Sequence, residues 1–187
     1  MKKTLILLIV ILTSNLAEAQ FIKDKSIDAQ IGYGISSPYY SVADIASDGF
    51  FLQGEYVLTA TSWFQLRPYA GLILTRSNGK DLNDKPTNEK AESNAFLIGG
   101  KARVIAPIPW VAPYAEIGIG GSIGKFETFT AYTNINQSGF AYHIPFSFGL
   151  ELGRNKDVDL SFSYYFQPTV EQFVGAFAIG ISIPLRN

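Results

Sequence analysis

The sequence predicts an all-β fold, an eight-stranded antiparallel transmembrane β-barrel of the up-and-down kind. Bulky and small residues alternate along eight segments, the period-two signature of strands. Most segments run about 9 to 13 residues, long for a soluble strand and right for a tilted membrane strand. The connections alternate between tight and long, as on the two rims of a membrane barrel. A chain of 187 residues suggests one such domain.

The segments follow in order. Ile27–Ile35 places Asp28 on the parity opposite its bulky apolar residues, and Phe50–Ala60 does the same with Glu55. Phe64–Thr75 places Arg67 there, Ala95–Ala106 places Lys101 and Arg103, and Trp110–Gly121 places Glu116. Phe140–Leu152 shows the alternation most plainly. Phe140, Tyr142, Ile144, Phe146, Phe148, Leu150 and Leu152 share one parity, against Ala141, His143, Pro145, Ser147, Gly149 and Glu151. Val158–Phe166 repeats the pattern with Asp159 on the minor face, and Phe173–Leu185 completes the set. Residues 61–63, 107–109 and 153–157 are the tight connections. Residues 36–49, 76–94, 122–139 and the shorter 167–172 alternate with them on the other rim.

The two parities predict which face meets lipid. The interior of an eight-stranded barrel is just wide enough for side chains to fill it. Seven bulky residues per strand would overfill it, whereas Gly, Ala, Ser and Gln with a few charges fit. The bulky face therefore points outward, and Asp28, Glu55, Arg67, Lys101, Arg103, Glu116, Glu151 and Asp159 form a charge network in the lumen. Buried charges must be paired, so five acids and three bases predict a lumen plugged by salt bridges. Trp63 and Trp110 fall at the tight-turn rim as an aromatic belt. Phe50, Phe96, Phe140, Tyr142, Phe166 and Phe173 lie near the other rim.

Residues 1–19 read as an export signal. Lys2 and Lys3 precede the apolar run Leu5–Leu12, and Ala17-Glu18-Ala19 supplies a small-residue cleavage site. The domain is then residues 20–187. Loss of Lys2, Lys3 and Glu18 leaves 13 basic against 15 acidic residues, a charge of -2. With no basic excess, nucleic acid is not an expected partner. The chain has no Cys and a single His, which excludes thiolate chemistry and a His-rich metal centre. No cofactor is expected. An export signal followed by no Cys fits a periplasmic or outer-membrane destination in a Gram-negative-type bacterium.

A short repeat sets Arg67-Pro68-Tyr69-Ala70 against Ala112-Pro113-Tyr114-Ala115, and predicts that Pro-Tyr-Ala stands at one height on strands three and five. The two prolines need bulges or irregular pairing. Together, the signal, the eight alternating segments and these Pro-Tyr-Ala strands resemble the small outer-membrane barrels of the OmpX and OmpA-barrel type, the porin family. The resemblance covers nearly all of residues 20–187. It implies an integral outer-membrane protein, with outer-membrane lipid and the assembly machinery as partners. Such barrels usually end in an aromatic residue read by that machinery, and this sequence departs from the pattern with Leu185-Arg186-Asn187.

The expected function is non-enzymatic, structural or surface-interacting, with the outer loops as the place for a ligand. Passive passage of small solutes is one alternative. A lipid-modifying enzyme is another, built on His143 with Ser147 and with Glu116 or Glu151 to orient the imidazole. Parity turns His143 toward the lumen, away from lipid, which favours a hydrogen-bonded structural role. Asp81 and Asn83 are spaced partly like ligands of a Ca²⁺ loop but lack its Gly and closing Glu, so a solvated loop is expected.

Overall fold

The computed structural model describes residues 21–185, and the export signal expected over residues 1–19 lies outside the described residues. Eight strands follow one another: β1 (Asp24–Pro38), β2 (Ser47–Thr61), β3 (Phe64–Arg76), β4 (Lys90–Ile105), β5 (Val111–Phe129), β6 (Asn134–Leu152), β7 (Val158–Gln167) and β8 (Gln172–Pro184). Each pairs antiparallel with the next, and β8 returns to β1 to close the barrel. Closure removes the two edges that an open sheet of this length would leave unpaired.

Alternation becomes an inside and an outside. On β6, Ala141, His143, Pro145 and Ser147 are buried, while Phe140, Tyr142, Phe146 and Phe148 are exposed. The outward apolar residues continue around all eight strands, a far larger exposed apolar surface than a water-soluble monomer carries. Trp63 and Trp110 are exposed at the short-turn end, in the β2–β3 and β4–β5 connections.

Proline opens the ladder locally without breaking the barrel. Pro68 faces outward, and the β2–β3 ladder skips from Glu55↔Tyr69 to Leu58↔Leu66 at its position. A register shift follows between Thr59 and Thr61, nearer the turn. Pro113 stands just past the last β4–β5 pair, Ile105↔Tyr114, and its carbonyl accepts the Ala106 N–H at 2.9 Å. Pro145 makes a similar gap in β5–β6, between Ile117↔Phe146 and Gly120↔His143. In each case the missing N–H falls where pairing is already interrupted.

Two expectations are corrected. The sequence predicts a loop from residue 122 to residue 139, but β5 and β6 stay paired through this segment to a turn at residues 130–133. The Thr130 N–H donates to the Thr133 carbonyl at 2.8 Å to close that turn. Ser122, Phe126 and Thr128 are buried, so this segment packs on one face while its polar other face has the composition of a loop. The second correction concerns the repeat. Tyr69 lies opposite Gly99 on β4, whereas Tyr114 lies opposite Ile105, six residues further toward the short turns. The two tyrosines serve different layers of the lumen.

A membrane strand needs ~9–11 residues, whereas β5 and β6 have 19 each. Their outward residues change from Ile123 and Phe140 to Lys125 and Ser138, and on β4 from Phe96 to Asn94. That change marks where the strands leave the apolar band and continue into water.

Candidate functional site: a layered lumen beneath an outer cap

The short-turn half of the lumen is ionic. Asp28, Glu55, Arg67, Lys101, Arg103, Glu116, Glu151 and Asp159 are all buried and connected. Arg67 bridges Asp28 and Glu55 and lies 3.4 Å from Glu116. Lys101 bridges Glu55 and Glu116, the latter at 2.7 Å. Arg103 meets Glu116 at 2.6 Å, Glu151 at 2.9 Å and Asp159 at 2.8 Å, with its guanidinium 3.5 Å from the centre of the Tyr114 ring. The Tyr114 hydroxyl donates to Asp159 at 2.7 Å. Strand register makes this meeting possible, since Arg103 sits directly opposite Glu116 and Glu151 opposite Asp159. Five carboxylates against three cations leave two negative charges, and Lys156 of the β6–β7 turn approaches Glu151 at 3.9 Å. Below the network, a cavity of about 420 Å³ lined in part by Asp28, Glu151 and Asp159 opens toward the short turns.

A hydrogen-bonded layer comes next. Tyr69 Oη and His143 Nε2 are 2.5 Å apart, Ser122 Oγ lies 2.7 Å from His143 Nδ1, and Gln167 Nε2 donates to Ser122 at 2.8 Å. Tyr165 donates to Gln53 Oε1 at 2.7 Å, and Gln53 Nε2 donates to Glu55 at 2.6 Å, linking this layer to the ionic one. Glycine is required at residue 120, because a Cβ there would strike both Tyr69 Oη and His143 Nε2. The imidazole is wholly buried. Ser147 instead bonds Ser163 at 2.9 Å, and Glu116 and Glu151 are held by Arg103. Ser147, Glu116 and Glu151, the partners expected for His143, are therefore engaged elsewhere, and Ser122 is the serine that meets the imidazole.

The loop-end half holds an apolar cluster, with Ser36 and Thr75 hydrogen-bonded to each other at 2.7 Å beside it. Phe51, Ile73, Leu97, Phe126, Val170 and Val174 are fully buried across the bore. Val170 comes from the β7–β8 turn, which folds over the opening and is held by Thr128 Oγ1 donating to the Val170 carbonyl at 2.8 Å. Sequence reading missed this layer. Its bulky members are scattered one or two to a strand on a parity dominated by small residues, and only contact across the bore gathers them.

Above the lumen the loops are stitched together. Glu89 accepts the N–H of Ala43 at 3.0 Å and of Ala131 at 2.8 Å, with Val42 at 3.5 Å, so one carboxylate joins three connections. Partial burial pushes the Glu89 carboxyl up, but these backbone donors outweigh it and hold it below the ordinary carboxylate range. Asp81 Oδ1 accepts the N–H groups of Asn83 and Lys85, both at 2.8 Å, which makes it a turn-former.

No protein-family model matches the chain, and no curated protein matches it in sequence. Solved structures do. Neisserial surface protein A aligns over 86% of this chain and 97% of its own, with a TM-score of 0.57 at 11% identity. Ail of Yersinia pestis aligns over 87% and 100%, with a TM-score of 0.49 at 15% identity. The N-terminal β-barrel domain of Pseudomonas aeruginosa OprF aligns over 84% and 97%, with a TM-score of 0.49 at 10% identity. By its closed eight-stranded topology and its superposition on Neisserial surface protein A, the chain has the fold of the small outer-membrane β-barrels.

Proposed function

We propose that the chain is an integral outer-membrane protein, exported by a cleaved N-terminal signal, whose barrel is a closed anchor and whose work is done at its loop-end surface without catalysis. One observation carries this reading. The bore is closed twice, by the ionic layer around Glu116 and Arg103 and by the apolar layer around Phe51, Leu97 and Phe126. A solute must break paired charges in one layer and displace packed side chains in the other, and neither is available at low cost. His143, the one imidazole, is sealed between these layers.

The surface left to act is the cap formed by the loops and the extended β5–β6 hairpin. Outer-membrane lipid surrounds the apolar band, the assembly machinery inserts it, and a ligand meets the cap. Trypsin on intact cells tests the orientation. Lys80, in the exposed β3–β4 loop, should be cleaved, whereas Arg154, in the β6–β7 turn, should be cut only after the cells are permeabilised. Cleavage at Arg154 alone on intact cells would invert the barrel and remove the cap from the outside.

A further inference from the structure

The cavity beneath the ionic layer is short of positive charge. The buried network above and around it sets five carboxylates against three cations. The other charged side chains lining the cavity, Asp24 and Asp157 against Lys25 and Lys156, cancel one another. An excess of two negative charges therefore remains. A cleft of one sign with low-dielectric walls focuses its field into the space between them and concentrates ions of the opposite sign there.

Two carboxylate oxygens in this wall lack donors. Asp28 is 3% exposed, and its Oδ2 meets Arg67. Its Oδ1 is buried and has no hydrogen-bond partner among the described residues. A buried charged oxygen left in that state is costly unless something pairs with it. Glu151 spends Oε1 on Arg103 at 2.9 Å, whereas Oε2 faces Lys156 Nζ at 3.9 Å, beyond hydrogen-bond reach. Asp28 stands on β1 and Glu151 on β6, three strands apart around the barrel, and both line the cavity. Val57 and Ile105 add apolar surface to the same wall.

We infer that this cavity is a binding site for a short linear diamine in its doubly protonated form, with one ammonium on Asp28 Oδ1 and the other on Glu151 Oε2. Two positive charges match the excess of two negative ones. An ammonium group is all donor, with three N–H bonds and no acceptor, which suits oxygens that lack donors. The methylenes between the two ends find Val57 and Ile105. A water molecule would bond Asp28 but leave the charge excess in place. A divalent metal ion does not fit, because hard cations take about six to eight oxygens. Among the described residues no three His, Cys, Asp or Glu side chains converge to hold a metal. The volume, about 420 Å³, falls within the ~300–1,000 Å³ of small-molecule sites. The site lies at the end of the barrel opposite the cap and needs no activity there.

The test is isothermal titration calorimetry on the full mature chain refolded in nanodiscs of zwitterionic lipid, with putrescine as the diamine and butylamine as its singly charged match. Saturable binding of one putrescine per barrel is expected, at least tenfold tighter than butylamine. Asp28→Asn should weaken putrescine binding at least tenfold. Lys156→Gln lies in the β6–β7 turn and keeps the test open should Asp28→Asn fail to fold. It removes the cation that competes for Glu151 Oε2 and should tighten binding at least threefold. Absence of saturable binding by the wild type would overturn the site, as would equal affinity for butylamine or unchanged affinity in both variants. Complete displacement of putrescine by an equal concentration of Mg²⁺ would overturn the choice of an organic cation. Arg186 follows Leu185, which lines the cavity, so Arg186→Gln is the last variant. Unchanged affinity is expected, and a tenfold gain would overturn the diamine in favour of the chain's own guanidinium.

Discussion

Arg103 touches three carboxylates, Glu116, Glu151 and Asp159, and covers the face of Tyr114. Glu116 likewise touches three cations, yet the two residues are not equivalent. Without Glu116, Arg67 keeps Asp28 and Glu55, Lys101 keeps Glu55, and Arg103 keeps Glu151 and Asp159. Glu116→Gln should therefore cost about 1.5–3 kcal/mol, the range for lost hydrogen bonds to charged groups. Without Arg103, Asp159 is left with the Tyr114 hydroxyl and Glu151 with Lys156 at 3.9 Å. Arg103→Met should cost about 3–5 kcal/mol, because it strands buried charge. Urea midpoints of the two variants in detergent-free bilayers check the order, and a larger loss for Glu116→Gln would contradict this network. On the opposite face, Phe148 is 62% exposed and packs against Phe162 with ring centres 5.2 Å apart. Phe148→Arg should cost about 2–4 kcal/mol at the bilayer midplane, read in the same titration. Tolerance equal to wild type would mean that this face does not meet lipid.

At the scale of elements, the eight strands were legible because burial on one face imposes period two, and that period survives in sequence wherever the outward face must be apolar. It fails as a guide where the outward face turns to water. Residues 122–139 read as a loop because Lys125, Asn134, Asn136 and Ser138 are polar, while the packing that keeps them in strands comes from Phe126 and Thr128 beneath. The charge network was legible residue by residue, since each member sits on the minor parity. Its wiring was not, because it depends on register and on contact across the bore. The Glu89 clasp was equally invisible, as its donors are backbone groups far away in sequence. Its pH dependence has a definite sign. A carboxyl held below its unfolded value stabilises the folded form above the unfolded pKa, near 4.3, and loses that contribution as pH falls through the folded value. Hydrogen exchange at Ala43 and Ala131 should thus be protected at pH 7 and lose protection once the pH drops below the ordinary carboxylate range. Glu89→Ala should abolish that protection at both pH values. Exchange that is fast at pH 7 in the wild type would contradict the clasp.

For the molecule as a whole, the account places two unlike barriers in series, one of paired charge and one of packed apolar side chains, beneath loops that Glu89 and Glu171 help tie together. An ionic layer alone would allow a route for ions if its pairs exchanged partners, since its lower side meets a cavity and its net charge is negative. The apolar layer and the Val170 turn above it offer no such exchange. The most direct measurement is single-channel conductance of the refolded full mature chain in a planar lipid bilayer. The account predicts a baseline without discrete steps for the wild type, and the same silence for Glu116→Gln, because the apolar layer still closes the bore. Stepwise openings in the wild type would contradict the closed lumen and with it the assignment of function to the outer surface.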